Sequence, residues 1–208
     1  IERDLLPSIL NQLESKEIVV LKGIRRSGKS TLMAQIIGYL LDNGTDPRHI
    51  LRVNLEEPLF SPEYSVALLE QIYRTYRERL NPHEKCWLFL DEIQNIPDWE
   101  SWVRGRSEIE SVKIFITGSS SHVLSREIGT KLTGRQVSFE VFPISFKEFL
   151  RFNSISVRDE LDFIRSKPVI RNLFREYILH GGFPEVVLKS RAEDKELLLK
   201  SYFEYILF

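Results

Sequence analysis

Two short stretches of the chain carry residues that could perform phosphate chemistry. The first, Gly23–Ser30, has the pattern Gly, four residues, Gly, Lys and Ser; an apolar run precedes it and a helical pattern follows. Its glycines permit backbone angles at which successive N–H groups point into one concavity, and a helix start adds further unpaired N–H groups there. We interpret this stretch as a P-loop, which predicts binding of a nucleoside triphosphate.

Separate roles are expected for the residues of this loop. Lys29 can carry its charge to the β and γ phosphates, and the Ser30 hydroxyl can ligate Mg²⁺. We interpret Arg25 and Arg26 as solvated or paired with a neighbour, with a contact of one of them to the nucleotide as the alternative, and we assign them no catalytic role. The predicted nucleotide-binding residues are Gly23, Ile24, Arg25, Arg26, Ser27, Gly28, Lys29, Ser30 and Thr31.

The second stretch is Asp91-Glu92, which directly follows the apolar run Trp87–Leu90. An apolar strand that ends in Asp-Glu, roughly sixty residues after a P-loop, is typical of a Walker B motif. Asp91 would hold Mg²⁺ through its waters, opposite Ser30. Glu92 would accept the proton of the attacking water, or orient that water. The alternative is that Asp91 only caps a helix.

Alternating strand and helix patterns must position these residues. A parallel α/β sandwich of three layers follows from this alternation, and ligands of such sheets bind at the carboxyl ends of the strands. We therefore expect the P-loop, Asp91-Glu92 and the run 117–121 to converge. From Phe146 onward the pattern is helical, with an interruption at Gly181–Pro184. This change of pattern predicts a P-loop core over residues 1–150 and a small helical domain over residues 151–208. We predict five strands. The first ends near Leu21, and the other four span residues 49–55, 86–90, 112–117 and 137–142.

Composition restricts the class of protein. The 208 residues are 42% hydrophobic and 28% charged, as in soluble globular proteins, and the net charge of −1 provides no general attraction to nucleic acid or anionic membranes. No apolar run is long enough to span a membrane, and a single cysteine, Cys86, fits a reducing compartment, so we predict a cytoplasmic protein. The abrupt ends predict a fragment of a longer protein, truncated within its helical domain.

Five stretches together carry a resemblance to a known family. GIRRSGKST, WLFLDEIQNIPDWE, FITGSSSHVLS, LTGRQVSFEVFPISFKEF and HGGFPEVV resemble the prokaryotic AAA-type ATPases that carry an extra C-terminal domain, a group close to the signal-transducing STAND NTPases. The resemblance covers nearly all of the chain. It implies an AAA+ core whose five strands lie in the order 5-1-4-3-2, followed by the start of a helical lid.

The resemblance also implies roles for residues outside the two motifs. Ser119 occupies the place of sensor 1, where a polar side chain touches the γ-phosphate or the attacking water, with Ser120 and Thr117 as rivals. An ordinary serine-rich turn is the alternative. Arg135 stands where AAA+ proteins carry an arginine finger that acts on a neighbouring subunit, which implies a homo-oligomer. A plain surface arginine paired with a carboxylate is the alternative.

Three weaker assignments come from the same resemblance. Asn54 matches the residue that restrains the Walker B glutamate. Pro184 matches the proline of the STAND GxP motif, which packs near the adenine, although an ordinary turn between helices is the alternative. Ile1 and Arg3 stand where relatives line the base pocket.

These observations favour a Mg²⁺-dependent ATPase that converts ATP to ADP and phosphate. One alternative is a STAND-like nucleotide switch with little turnover. Another is an ATPase module that controls a DNA-acting C-terminal effector, for which the near-neutral charge gives no support. No protein partner can be named from the sequence.

Overall fold

The structure, a computed structural model, describes residues 3–82, 84–109, 111–118, 132 and 134–207. It divides into two compact units. One, here called the sheet unit, comprises Leu5–Ile24 and Lys29–Val141. The other, here called the helical unit, comprises Ile1–Asp4, Arg25–Gly28 and Phe142–Phe208. The predicted division at residue 150 stays a prediction.

The sheet unit contains a five-stranded parallel sheet whose strands are β1 Ile18–Lys22, β2 Ile50–Asn54, β3 Cys86–Asp91, β4 Val112–Gly118 and β5 Gln136–Glu140. The spatial order is β2-β3-β4-β1-β5, which confirms the predicted fold class and strand order. All six residues of β3 are buried, as expected for a central parallel strand covered on both faces.

Helices of the sheet unit cover both faces of the sheet. They are α1 Leu6–Leu10, α2 Lys29–Asp42, α3 Val66–Arg79 and α4 Trp99–Ile109. The alternating side chains of the strands divide into two apolar cores. Leu88 and Leu90 of β3 belong to the core that includes α3 and α4 residues, whereas Trp87 and Phe89 belong to the core that includes α1 and α2 residues.

The helix α3 begins after a 3₁₀ turn. Ser61-Pro62 has a sequence pattern that predicts a helix start, but residues Pro58–Glu63 form a 3₁₀ helix and α3 starts at Val66. The Ser65 hydroxyl accepts a hydrogen bond from the Leu68 N–H, which makes Ser65 the N-cap. Both serines offer the same capping chemistry, and the 3₁₀ turn determines which of them is used.

The helical unit consists of α5 Phe146–Phe152, α6 Glu160–His180, α7 Pro184–Val187 and α8 Ala192–Leu207. Its core joins Ile144, Phe149 and Val187, with aromatic side chains of α5 and α6 packed around them. Among the described helices, none has the length and apolar character that crossing a membrane would require.

Candidate functional site

The P-loop joins β1 to α2, which begins at Lys29, so the unpaired N–H groups of the first helical turn follow directly on the loop. Arg26 and Gly28 adopt positive φ angles of 66° and 98°. Such turns orient successive N–H groups toward one side and create an anion-binding concavity. Of the two glycines of the motif, Gly28 therefore adopts an angle that favours glycine, whereas Gly23 does not, and Arg26 adopts one that the glycine spacing did not predict.

Lys29 is almost fully buried, and its ammonium group lies among acceptors of the sheet unit. Its Nζ donates to the carbonyl oxygens of Gly23 (3.2 Å) and Ile24 (3.1 Å), and it lies 3.6 Å from Glu92 Oε1. Burial lowers the pKa of Lys29 below its ordinary value, and the nearby Glu92 and Asp91 carboxylates act in the opposite direction. The side chain is thus folded back on its own loop.

Asp91 lies at the carboxyl end of β3. Because side chains alternate along the strand, Asp91 points to the same face as Phe89, toward α2. The Ser30 hydroxyl donates to Asp91 Oδ1 at 3.1 Å, and Arg52 Nη2 of β2 donates to Oδ2 at 3.2 Å. The structure therefore brings the two predicted metal-binding residues together.

A hydroxyl and a carboxylate are hard oxygen donors of the kind that Mg²⁺ prefers. Magnesium in phosphate-transfer sites uses few protein ligands and completes its shell with water and substrate phosphates. The pair formed by Ser30 and Asp91, at the start of α2, has this chemistry. The residues present fit the predicted ion.

Thr117, at the end of β4, connects the two Walker B residues. Its Oγ1 donates to Asp91 Oδ1 at 2.6 Å and accepts the Glu92 N–H at 2.9 Å. Since a hydroxyl has one hydrogen, this hydrogen is already directed to Asp91. Thr117 thus organises the Asp-Glu pair, a role different from the contact with phosphate for which it was considered. Ser119 and Ser120 lie outside the described residues.

Glu92 begins a 3₁₀ turn and has left-handed backbone angles, φ 55° and ψ 50°. Gln94 Nε2 donates to Glu92 Oε2 at 2.6 Å, whereas Lys29 approaches Oε1. Asn54 was expected to contact this carboxylate. Its amide instead donates to Glu57, and its carbonyl oxygen accepts the Glu56 N–H.

Arg135 lies at the amino ends of the parallel strands, whereas the P-loop lies at their carboxyl ends. It directly precedes β5, its carbonyl oxygen accepts the Ile18 N–H, and its guanidinium forms an ion pair with Glu108. The five residues of β1 separate this end of the sheet from the start of the P-loop by roughly 16 Å. The structure therefore does not bring Arg135 together with Lys29, as would be required for action on the nucleotide of its own chain.

Residues of the helical unit surround the loop segment Arg25–Gly28, which belongs to that unit. A Cβ atom built on Gly28 would lie 3.4 Å from Pro184 Cγ and 3.1 Å from Arg3 Nη1. Arg3 is buried, and it donates to Glu148 at 2.9 Å and to the Ser27 carbonyl at 3.1 Å. Pro184 and Arg3 thus both lie beside the second glycine of the motif.

Arg26 has two partners on the helices of the same unit. Its guanidinium lies 4.3 Å from the centre of the Tyr202 ring and donates to Glu185 at 3.0 Å. The Tyr202 hydroxyl also donates to Glu185. Arg26 was interpreted as solvated or paired, and it is paired. The other predicted loop residues differ in exposure: Ser27 is fully buried, whereas Ile24, Arg25 and Thr31 are exposed.

Sequence reasoning missed Arg52 and Gln94. Arg52 is the one charged residue of β2, and it shares its strand face with Asn54, which pairs in register with Asp91. Gln94 follows Glu92 by two residues. A charge within an apolar strand that neighbours the Walker B strand was a usable signal for Arg52. The contact of Gln94 depends on the turn that follows β3, for which the sequence offered no comparable signal.

Comparisons with known proteins agree with this geometry. Residues 15–150 match the family described as an AAA domain. The uncharacterized protein MJ1544 of Methanocaldococcus jannaschii is 34% identical over 197 residues, which cover 95% of this chain and 42% of that protein. An uncharacterized protein of Haemophilus influenzae is 33% identical over 203 residues, which cover 97% of this chain and 48% of the relative. The chain therefore spans less than half the length of these relatives.

Among solved structures, AMPPCP-bound DnaA from Aquifex aeolicus is similar to this chain. It aligns with a TM-score of 0.43 at 14% identity, over 96% of this chain and 67% of that one. The family match over residues 15–150 extends from just before β1 to α5 and includes both the P-loop and Asp91-Glu92. The chain therefore belongs to the AAA-domain family, which indicates a nucleotide-binding, ATPase-like domain.

Proposed function

We propose that this domain binds ATP with Mg²⁺ and hydrolyses it to ADP and phosphate. The observation that carries the proposal is the convergence of four side chains within the sheet unit. Lys29 lies 3.6 Å from Glu92, and Ser30 lies 3.1 Å from Asp91, although about sixty residues separate the members of each pair in sequence. A lysine, a hydroxyl and two carboxylates are the groups that phosphoryl transfer requires.

In this proposal the loop N–H groups and the start of α2 bind the phosphates. Lys29 exchanges its carbonyl acceptors on Gly23 and Ile24 for phosphate oxygens. Ser30 and Asp91 would hold Mg²⁺, which would neutralise charge that develops on the phosphates. Glu92 orients the attacking water and accepts its proton while the bond between the terminal phosphorus and the ADP oxygen breaks.

The test compares four proteins for Mg²⁺-ATP binding and for release of phosphate. Lys29→Ala is expected to lose nucleotide binding. Glu92→Gln is expected to retain binding and to lose turnover by about a hundredfold or more, the usual contribution of a general base. Lys16→Ala is the matched control, because Lys16 is an exposed lysine before β1. Parent-like turnover by the Glu92→Gln variant would refute the role of Glu92, and absence of ATP binding by the parent would refute the proposal.

A second candidate function is a nucleotide-dependent switch with little turnover, in which residues 151–208 act as a lid. It is favoured by the contacts within the helical unit. Pro184 lies beside Gly28, and Arg26 is paired with Glu185 and stacked on Tyr202. A switch would keep bound ADP through purification and hydrolyse ATP negligibly. Rapid steady-state turnover with no retained ADP would argue for the enzyme instead.

Assembly is a further part of the proposal. Arg135 lies at the amino ends of the strands of its own sheet, a position compatible with an arginine that serves a neighbouring copy. Specific activity should then rise with protein concentration, and Arg135→Ala should remove that rise. A specific activity that is independent of concentration would argue against an arginine acting in trans. Control of a DNA-acting effector concerns the longer protein, and filter binding with that protein at several salt concentrations would test it.

A further inference from the structure

Gln94 makes the shortest described hydrogen bond to the Glu92 side chain, with Nε2 2.6 Å from Oε2. The other carboxylate oxygen, Oε1, lies toward Lys29 and hence toward the phosphate-binding loop. The two oxygens of Glu92 therefore have different surroundings. One is held by an amide, and the other faces the place where the substrate's phosphates are proposed to bind.

The turn that carries Gln94 is firmly anchored. Ile93 and Ile96 are buried in the core, and the Asn95 amide donates to the Leu55 carbonyl oxygen at 2.9 Å. The Asn95 backbone N–H also donates to the Glu92 carbonyl oxygen at 3.2 Å. Since the backbone on both sides is fixed, Gln94 can restrict the rotation of the Glu92 carboxylate.

The orientation of the Gln94 amide follows from its partner. A carboxylate only accepts hydrogen bonds, so the NH₂ group must face Glu92 and the carbonyl oxygen must face away. This oxygen, Oε1, is buried and has no hydrogen-bond partner within the described residues. The described hydrogen bond of the Gln94 side chain is therefore the one to Glu92.

We propose that Gln94 is a positioning residue that acts through Glu92. By holding Oε2, it keeps Oε1 directed toward the loop, so that Oε1 is the oxygen that accepts the proton of the attacking water. This inference rests on the proposed ATPase function. It assigns to Gln94 no contact with the reacting atoms.

The test replaces Gln94 with Met, which has a similar length but no amide. The expected result is a fall in kcat of about tenfold to a hundredfold, the cost of a misplaced catalytic group, with the affinity for ATP unchanged. In the Glu92→Gln background the same replacement should cost far less, because residues that act as one unit have non-additive effects. A second readout does not depend on activity: the urea concentration at the midpoint of unfolding, measured without nucleotide. The double variant with Gln94→Met and Glu92→Gln should lower this midpoint by less than the sum of the reductions caused by the two single variants.

Asn95→Ala provides the control for loosening of the turn. It removes a hydrogen bond that anchors the same turn but leaves the Gln94 amide in place, so it should lower the urea midpoint and reduce kcat much less than Gln94→Met does. A parent-like kcat for Gln94→Met, an equal kcat loss in Asn95→Ala, or an undiminished loss in the Glu92→Gln background would each overturn the inference. A parent without any turnover would refute the proposed function itself and this inference with it.

Discussion

Replacing Thr117 with Val keeps the shape of this side chain but removes the hydroxyl that joins the two Walker B residues. Thr117 is fully buried, so water cannot take the place of the hydroxyl without a rearrangement. The change removes the hydrogen bond to Asp91 Oδ1 and leaves the Glu92 N–H without its acceptor. Asp91 keeps its bonds from Ser30 and Arg52.

The expected loss follows from these two bonds. A hydrogen bond to a charged group contributes about 1.5–3 kcal/mol, and a buried donor left unpaired costs about 1–3 kcal/mol. The two effects involve neighbouring groups and do not add fully. We therefore expect Thr117→Val to lower the free energy of unfolding of the sheet unit by about 3 kcal/mol. Thr117→Ser keeps the hydroxyl and removes one methyl group, which costs about 1 kcal/mol.

Urea unfolding followed by tryptophan fluorescence suits this comparison. The three tryptophans, Trp87, Trp99 and Trp102, all belong to the sheet unit, so their emission reports on the part of the molecule that contains Thr117. The expected order of stability is parent, then the serine variant, then the valine variant. If the valine variant proves more stable than the serine variant, packing of the methyl group outweighs the hydroxyl network and the reasoning is wrong.

Two further predictions concern positions away from the Walker residues. Gly182→Ala should destabilise the helical unit by about 3 kcal/mol, because the added Cβ would lie 2.0 Å from the Ile144 carbonyl oxygen. Gly105→Ala is the matched comparison: Gly105 lies in open space within α4, so this change should stabilise the sheet unit by about 0.5–1 kcal/mol. Urea unfolding followed by circular dichroism measures both changes. Burial lowers the pKa of Lys113 from 10.5 to about 8. Between pH 8 and 10.5 the Lys113 amine is therefore protonated in the unfolded chain and neutral in the folded chain. The free energy of unfolding should rise by up to about 3 kcal/mol over this range. Lys113→Met should abolish the rise.

The sequence allowed the fold and the centre of the candidate site to be predicted because both depend on local patterns. Gly23–Ser30 defines its own loop through glycine spacing, and Asp91-Glu92 is placed by the buried strand that it terminates. Parallel strands then bring their carboxyl ends to one edge of the sheet. No side-chain orientation had to be known for these predictions.

The remaining features depend on orientations and distances that spacing does not encode. Nothing in the sequence distinguishes Gln94 from Asn54 as the partner of Glu92, because both carry an amide near a strand end. The side chain of Asn54 is instead engaged by its own turn, with Glu56 and Glu57. The same holds for Gly182. The GGFP run predicts a turn, but only the structure shows that the Ile144 carbonyl oxygen comes too close to Gly182 for a side chain there.

The site pairs each of its two carboxylates with a cation, and this pairing affects how binding and chemistry would be coupled. Lys29 lies 3.6 Å from Glu92, and Arg52 lies 3.2 Å from Asp91. Removing one partner of a buried charge pair is strongly unfavourable, so the phosphates that attract Lys29 must offer it interactions of comparable strength. Their negative charge provides these interactions, while Gln94 continues to hold Glu92. In the proposed ATPase, Lys29 would therefore exchange its contact with Glu92 for contacts with the phosphates, whereas the Glu92 carboxylate would keep its hydrogen bond from Gln94.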